Sequence, residues 1–171
     1  LLDPKPRSGR SAAAPSLRRH AELALGFVAV TVAWGAFVAG LDAGMIYNTF
    51  PLMGGQLVPS DMWFLDPAPL NLVENHAAVQ FTHRWLAIVT GVVVLALSWR
   101  AVRADLGPRG HRLAYAAGAM MLLQIALGIA TLLTVVAIPV AAIHQAGALT
   151  LIGLLVWFRY EVRAAGAPER A

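Results

Sequence analysis

The sequence predicts an all-α integral membrane protein, an antiparallel four-helix transmembrane bundle, and three observations predict it. The first is composition. Of 171 residues, 58% are hydrophobic and only 13% charged, about half the charged share of a soluble domain. Such a chain cannot coat itself in polar surface. The second is segmentation. Four apolar stretches, at about residues 21–41, 79–102, 113–136 and 140–162, each approach the ~20 residues that cross a ~30 Å hydrocarbon core. The third is charge placement. Of the 13 Lys and Arg residues, all except Arg84 lie before the first stretch, around the connection between the second and third, or at and beyond the end of the last.

Each element has its own signature. Residues 1–20 hold Pro4, Pro6, Pro15, Ser8, Ser11 and Ser16 among basic residues and read as a polar linker. A bundle domain then spans residues 21–163. Its first helix runs out in Gly40-Leu41-Asp42-Ala43-Gly44, a small-xxx-small spacing that is common in membrane helices and weak as a signal. Residues 42–78 form a long outer loop with Asp42, Asp61, Asp66 and Glu74 and no Lys or Arg. Its Pro51, Gly54, Gly55, Pro59 and Pro67 predict a structured, non-helical lid, and Tyr47, Trp63 and Phe64 suit the membrane interface. A loop this long in a small bundle is usually functional or disordered, and its aromatics favour function. Spans 79–102 and 113–136 follow. Ala137-Ile138-Pro139 predicts a tight turn before the last span, because Pro139 cannot continue the preceding ladder. Residues 164–171 are a tail.

The positive-inside rule places both termini and the middle connection on the cytoplasmic or matrix side. The same segregation accounts for the net charge of +4 without nucleic acid. The chain has no cysteine, which removes disulfides, thiolate metal sites, iron–sulfur clusters and covalent haem attachment together. No phosphate-binding glycine loop, no His-Glu-x-x-His and no Ser/His/Asp set is present. Leu1 in place of Met suggests a fragment or a processed product, and no targeting segment is recognisable.

His83 and His144 carry the chemistry. Each lies four residues, or ~6 Å, inside a span that starts on the outer side. The intervening helix returns the chain, so their helices run parallel. Diagonal placement would bring the imidazoles together across the core at one depth, where two of them can hold a haem iron. Ionisable groups inside spans are costly and by default functional. Small residues follow both histidines on the same face: Ala87, Thr90 and Gly91, then Gly147 and Ala148. They make room for a flat macrocycle or serve ordinary helix packing. The pattern leaves haem, a hydrogen-bonded histidine pair and a proton relay all open.

Arg84, the one basic residue on the outer side, either pairs with a haem propionate or snorkels to the headgroups. Gln80, one turn before His83, is a candidate partner for the imidazole or a propionate, or an interfacial helix-start residue. Gln124, Thr131 and Thr134 are read as interhelical hydrogen bonders, with Thr131 near enough to the histidine level to be a pocket candidate. His20 and His111 read as structural, and His76 as an exposed histidine on the ligand side.

The ordered stretches Gly35-Ala36-Phe37-Val38-Ala39-Gly40-Leu41-Asp42-Ala43-Gly44, Tyr47-Asn48-Thr49-Phe50-Pro51, Glu74-Asn75, Gln80-Phe81-Thr82-His83-Arg84, Leu127-Gly128-Ile129-Ala130-Thr131-Leu132-Leu133 and Ala141-Ala142-Ile143-His144-Gln145-Ala146-Gly147 resemble the C-terminal half of the heme A synthase family. The cysteine-free form resembles the proteobacterial and mitochondrial branch. The resemblance implies one half of an eight-helix, pseudo-symmetric membrane enzyme in a bacterial inner or mitochondrial inner membrane. It implies that His83 and His144 are the axial ligands of a non-covalent, low-spin haem b. It implies that haem O binds the other half, where its C8 methyl is oxidised to a formyl. The catalytic glutamate of that half has Gln80 at its equivalent place here, and Gln80 cannot act as a carboxylate base. No catalytic residue is therefore expected in this half, which is expected to relay electrons and to be inactive alone. The expected partners are the N-terminal half, haem O, haem O synthase, an unidentified electron donor and membrane lipid, and no nucleic acid. A stand-alone membrane b-type cytochrome and a haem-free scaffold or assembly subunit are the alternatives.

Overall fold

The computed structural model describes residues 13–165. Most of the 1–20 linker and the end of the 164–171 tail lie outside the described residues. Four long helices carry the fold: α1 (Ala14–Gly40), α3 (His76–Val102), α4 (Gly107–Leu133) and α5 (Ile138–Ala165), with a single turn, α2 (Asn71–Glu74), before α3. The three helices α1, α3 and α4 have 27 residues each. At about 1.5 Å per residue each is about 40 Å long, enough to cross the hydrocarbon and reach into both interfaces. All four long helices are apolar enough to span a membrane.

The helix ends differ from the hydropathy boundaries. α1 begins at Ala14, with Pro15 in its first turn, where a missing N–H costs nothing. Residues 14–20 therefore extend the first helix rather than a linker. α4 ends at Leu133, three residues earlier than its apolarity suggests. Val135 and Val136 adopt φ of 52° and 56°, an uncommon left-handed conformation for branched residues, and turn the chain. Pro139 then lies in the first turn of α5 rather than in the turn itself.

Packing follows a closed ring. α1 packs against α3 and α5, and α4 packs against α3 and α5. α3 and α5, the two histidine helices, are therefore diagonal, as the topology predicts. The buried core fills only one half of the bundle, the end away from the long loop. There Leu17, Ala21, Ala24 and Val28 of α1 meet Val94, Leu97 and Ala101 of α3. Ala114, Ala117 and Met121 of α4 and Leu151, Leu155, Phe158 and Val162 of α5 complete it. Spacings of three and four place each set on one helical stripe. Arg159 bonds Glu22 at 2.9 Å and Arg109 approaches Glu161 at 4.0 Å. These pairs tie helix ends together at this basic end and, being exposed, add little stability.

The 42–75 loop caps the opposite end. Gly54 and Gly55, at φ of 58° and 85°, make a tight reversal closed by Met53 and Gln56 bonding each other. Left-handed conformation at both centres of such a turn strongly favours glycine, which has no Cβ to clash. Asn71, 1% exposed, accepts from the Phe64 and Leu65 N–H groups and donates to the Leu65 and Ala68 carbonyls. Asn75 accepts from the Ala77 and Ala78 N–H groups as the N-cap of α3, the capping chemistry that starts a helix.

Candidate functional site

Between the packed core and the loop lies a layer with no buried side chain. Residues 29–40 of α1, 81–89 of α3, 125–133 of α4 and 138–146 of α5 are all half-buried or exposed. His83 and His144 stand in this layer, on the two diagonal helices α3 and α5.

Each imidazole lies against a glycine of its antiparallel neighbour. A Cβ on Gly35 of α1 would sit 3.1 Å from Cε1 of His83, and one on Gly128 of α4 would sit 3.2 Å from Cε1 of His144. The α1/α3 and α4/α5 pairs thus repeat one local design, in which a histidine occupies the space where the neighbour has no side chain. Nδ1 of His83 lies 3.2 Å from the Thr31 carbonyl. A carbonyl only accepts, so Nδ1 carries the proton and the Nε2 lone pair is left free. Thr31 is fixed in turn by its hydroxyl, 2.7 Å from that of Thr90. Nδ1 of His144 is buried and has no hydrogen-bond partner. Its helix is held instead through its main chain, where Gln124 Nε2 donates to the His144 carbonyl at 3.0 Å.

Arg84 and Gln80 converge on the loop. Arg84 donates to the Tyr47 and Thr49 carbonyls at 2.6 and 2.9 Å, and Gln80 Nε2 donates to the Tyr47 carbonyl at 3.1 Å. Asn48, between them, donates to the Gly44 carbonyl and, at 2.9 Å, to the Leu132 carbonyl of α4. Residues 47–49 are thereby fastened to α3 and α4 above the histidines. The third N–H position of the Arg84 guanidinium, Nε, and Oε1 of Gln80 are buried without partners. Arg84 is thus neither free nor turned out to the headgroups, because two of its nitrogens hold the lid.

The remaining candidates sort clearly. Thr131 donates to the Leu127 carbonyl and Thr134 to that of Ala130, so both bond within their own helix rather than between helices. Only Gln124 makes the interhelical bond expected of all three. Gly91 and Gly147, expected beside the histidines, pack on α4: Cβ atoms there would lie 3.3 Å from Ile125 and 2.9 Å from Met120. They belong to helix packing. His20 accepts from Arg100 at Nδ1 and so donates from Nε2 to the Val93 carbonyl. His111 bonds the Ala104 carbonyl. Both are structural, as read. His76 is exposed and, with Tyr47 and Asp61, lines an open cavity of about 440 Å³ on the loop. Among the described residues no cluster of three or more acidic or imidazole groups could hold a bare metal ion.

Sequence reasoning missed the roles of Thr31, Asn48, Gly35 and Gly128. The glycines stand in the quoted motifs, but which residue faces which histidine depends on helix rotation. Asn48 and Arg84 bond to main-chain carbonyls, which have no signature in sequence.

Comparison with known proteins adds the family. The model of a family described as cytochrome oxidase assembly protein, COX15-CtaA, matches residues 2–156. Heme A synthase of Rhodospirillum centenum is 54% identical over 171 residues, covering 100% of this chain and 45% of that protein. Heme A synthase COX15 of Homo sapiens is 42% identical over 147 residues, covering 86% of this chain and 36% of that protein. The Bos taurus protein of the same name matches equally well, at 42% over 147 residues. The chain spans less than half the length of these curated relatives. No solved structure matches it significantly.

Proposed function

The chain belongs to the heme A synthase family of cytochrome oxidase assembly proteins, and from that premise we propose that its bundle holds a haem b between His83 and His144. The relatives imply an oxidoreductase. We assign this chain the electron-relay half of that enzyme, with haem O oxidised in a half outside this sequence. Haem b supplies a one-electron carrier.

The observation that carries the reading is the unpacked layer at histidine depth. A bundle that closes tightly over half its length and leaves the layer at histidine depth without a fully buried residue has room for a planar group there. The donor set fits. His83 is held in the tautomer that presents Nε2, the arrangement by which a hydrogen bond at one ring nitrogen orients the other as a ligand. His144 has a buried, unbonded Nδ1. Gly35 and Gly128 keep the imidazoles from being displaced. The unpartnered Nε of Arg84 gives a donor for one propionate while its other nitrogens stay on the loop. Gln80 shares that task by anchoring Tyr47. Thr131, already bonded to its own helix, contributes a wall rather than a hydrogen bond. The segregation of Arg and Lys supports termini on the cytoplasmic or matrix side. The haem O substrate, the N-terminal half, an electron donor and haem O synthase are the partners this assignment requires.

Absorption spectra test it. Purified protein is expected to show low-spin Soret and α bands, and His83→Ala and His144→Ala are each expected to abolish them. Normal haem content in both single variants would overturn the ligand assignment and favour a haem-free scaffold. Intact haem in a protein that never supports haem O oxidation, even with the rest of the enzyme present, would favour a stand-alone cytochrome.

A further inference from the structure

Away from the histidines, α3 and α4 part at the basic half to leave a groove of about 450 Å³ on the membrane-facing surface. Ser98 and Gly118 form its floor, Trp99 and Arg103 one wall, and Tyr115 and Leu122 the other. Trp99, Tyr115 and Leu122 are 60%, 63% and 57% exposed. Gly118 opens the floor: a Cβ there would lie 3.2 Å from both Cβ and Oγ of Ser98. The Ser98 side chain, in a residue 8% exposed, has a hydroxyl with no hydrogen-bond partner. That is unusual for a buried polar group in an apolar helix pair.

Charge at the groove mouth identifies the occupant. The Arg103 guanidinium lies 3.9 Å over the Trp99 ring. That contact uses the face of the cation and leaves its N–H edge free. Among the described residues Arg103 has no ion-pair partner. Its basic neighbours are engaged: Arg100 with His20 and Ser16, Arg109 with Glu161. Arg103 thus presents a fixed cation with open donors above an apolar trough. Ser98 lies five residues before Arg103 in α3, about 7 Å deeper toward the middle of the bundle. Basic sites between membrane helices at an interface suit anionic lipid headgroups.

We infer that this groove is a specific site for one anionic glycerophospholipid. Its phosphate bonds the open edge of Arg103, and one acyl chain lies along the trough between Trp99 and Leu122. The glycerol ester lies at the depth of Ser98, whose unpaired hydroxyl is the polar handle on the floor. A partner helix in the same groove would bury Arg103 without an anion, so the lipid is favoured.

Native mass spectrometry on the purified protein with equimolar phosphatidylglycerol and phosphatidylcholine tests this. The expected result is one retained lipid, with phosphatidylglycerol preferred several-fold. Arg103→Gln is expected to erase the preference, and Ala119→Phe, on an exposed position lining the groove, to displace the lipid with Arg103 intact. Arg112→Gln removes the same charge outside the groove and is expected to change neither. Thermal melting of each variant checks that it is folded. Three results would overturn the site. One is no preference in the unaltered protein. Another is an equal loss in Arg112→Gln, which marks diffuse surface charge. The third is a retained polypeptide in place of lipid.

Discussion

At the basic end, Leu155, Phe158 and Val162 of α5 interlock with Leu17, Leu97 and their neighbours and are almost wholly buried. At the loop end, the same helix presents His144 and its neighbours to a layer in which no residue is fully buried. Both halves are apolar, and no hydropathy profile separates them. The difference is packing. The basic half gains its stability from dispersion between interdigitated side chains, the force left to membrane helices when burial from water no longer discriminates. The loop half gives up that gain, and hydrogen bonds from Arg84, Gln80 and Asn48 to loop and helix carbonyls hold it together instead. One chain thus separates a region held by packing from a region held by hydrogen bonds.

Four substitutions probe that contrast. The largest effect on stability is expected from Phe158→Ala, at about 3–5 kcal/mol for a buried aromatic. Leu127→Ala, in the half-buried layer, is expected to cost well under half as much. Reversible unfolding in mixed micelles measures both, and equal costs would mean that the loop half is packed after all. Arg84→Ala comes next. It removes two charge-assisted bonds to the loop, and the opening free energy of residues 44–60 is expected to fall by about 2 kcal/mol. Hydrogen exchange across that segment reads it, with Phe158→Ala leaving the loop's local protection unchanged. Exchange unaffected by Arg84→Ala would remove the fastening role.

The smallest effect is expected from Tyr47→Phe, which deletes the exposed 2.8 Å bond from the phenol to Asp61 at about 0.5 kcal/mol. The bond to that carboxylate holds the phenol above the ordinary tyrosine range. A raised folded-state value means that the contribution is complete below the ordinary tyrosine pKa. It is lost as pH rises through the raised one. The difference between Tyr47→Phe and the unaltered protein is therefore expected to vanish in strong alkali. A difference that persists there would assign it to ring packing.

Much of this architecture was legible in the sequence because membranes impose so few solutions. Apolar lengths gave four helices, and alternating direction with short connections put α3 and α5 on a diagonal. Ends were less legible. Val135 and Val136 continue the apolar signal past Leu133, yet a residue's apolarity says nothing about its φ. Residues 14–20 are polar, yet Pro15 in a first turn starts a helix there. The histidines announced themselves by being ionisable in a span. Gly35 and Gly128 did not, because a glycine's role depends on what faces it. Thr131 and Thr134 bond within their own helix rather than between helices for a related reason, since a hydroxyl in a helix always has its own preceding turn within reach.

The fastening of residues 47–49 has a mechanical consequence. Arg84 and Gln80 grip this short segment from α3, and Asn48 grips α4 from within it. The segment is therefore a crossbar between the hairpin that bears His83 and the hairpin that bears His144. Helices rooted only in the core below would behave as cantilevers, and their free ends would splay with any sideways load. Tied at the far end as well, they behave as beams clamped at both ends, stiffest against the motion that would change the gap between the two imidazoles.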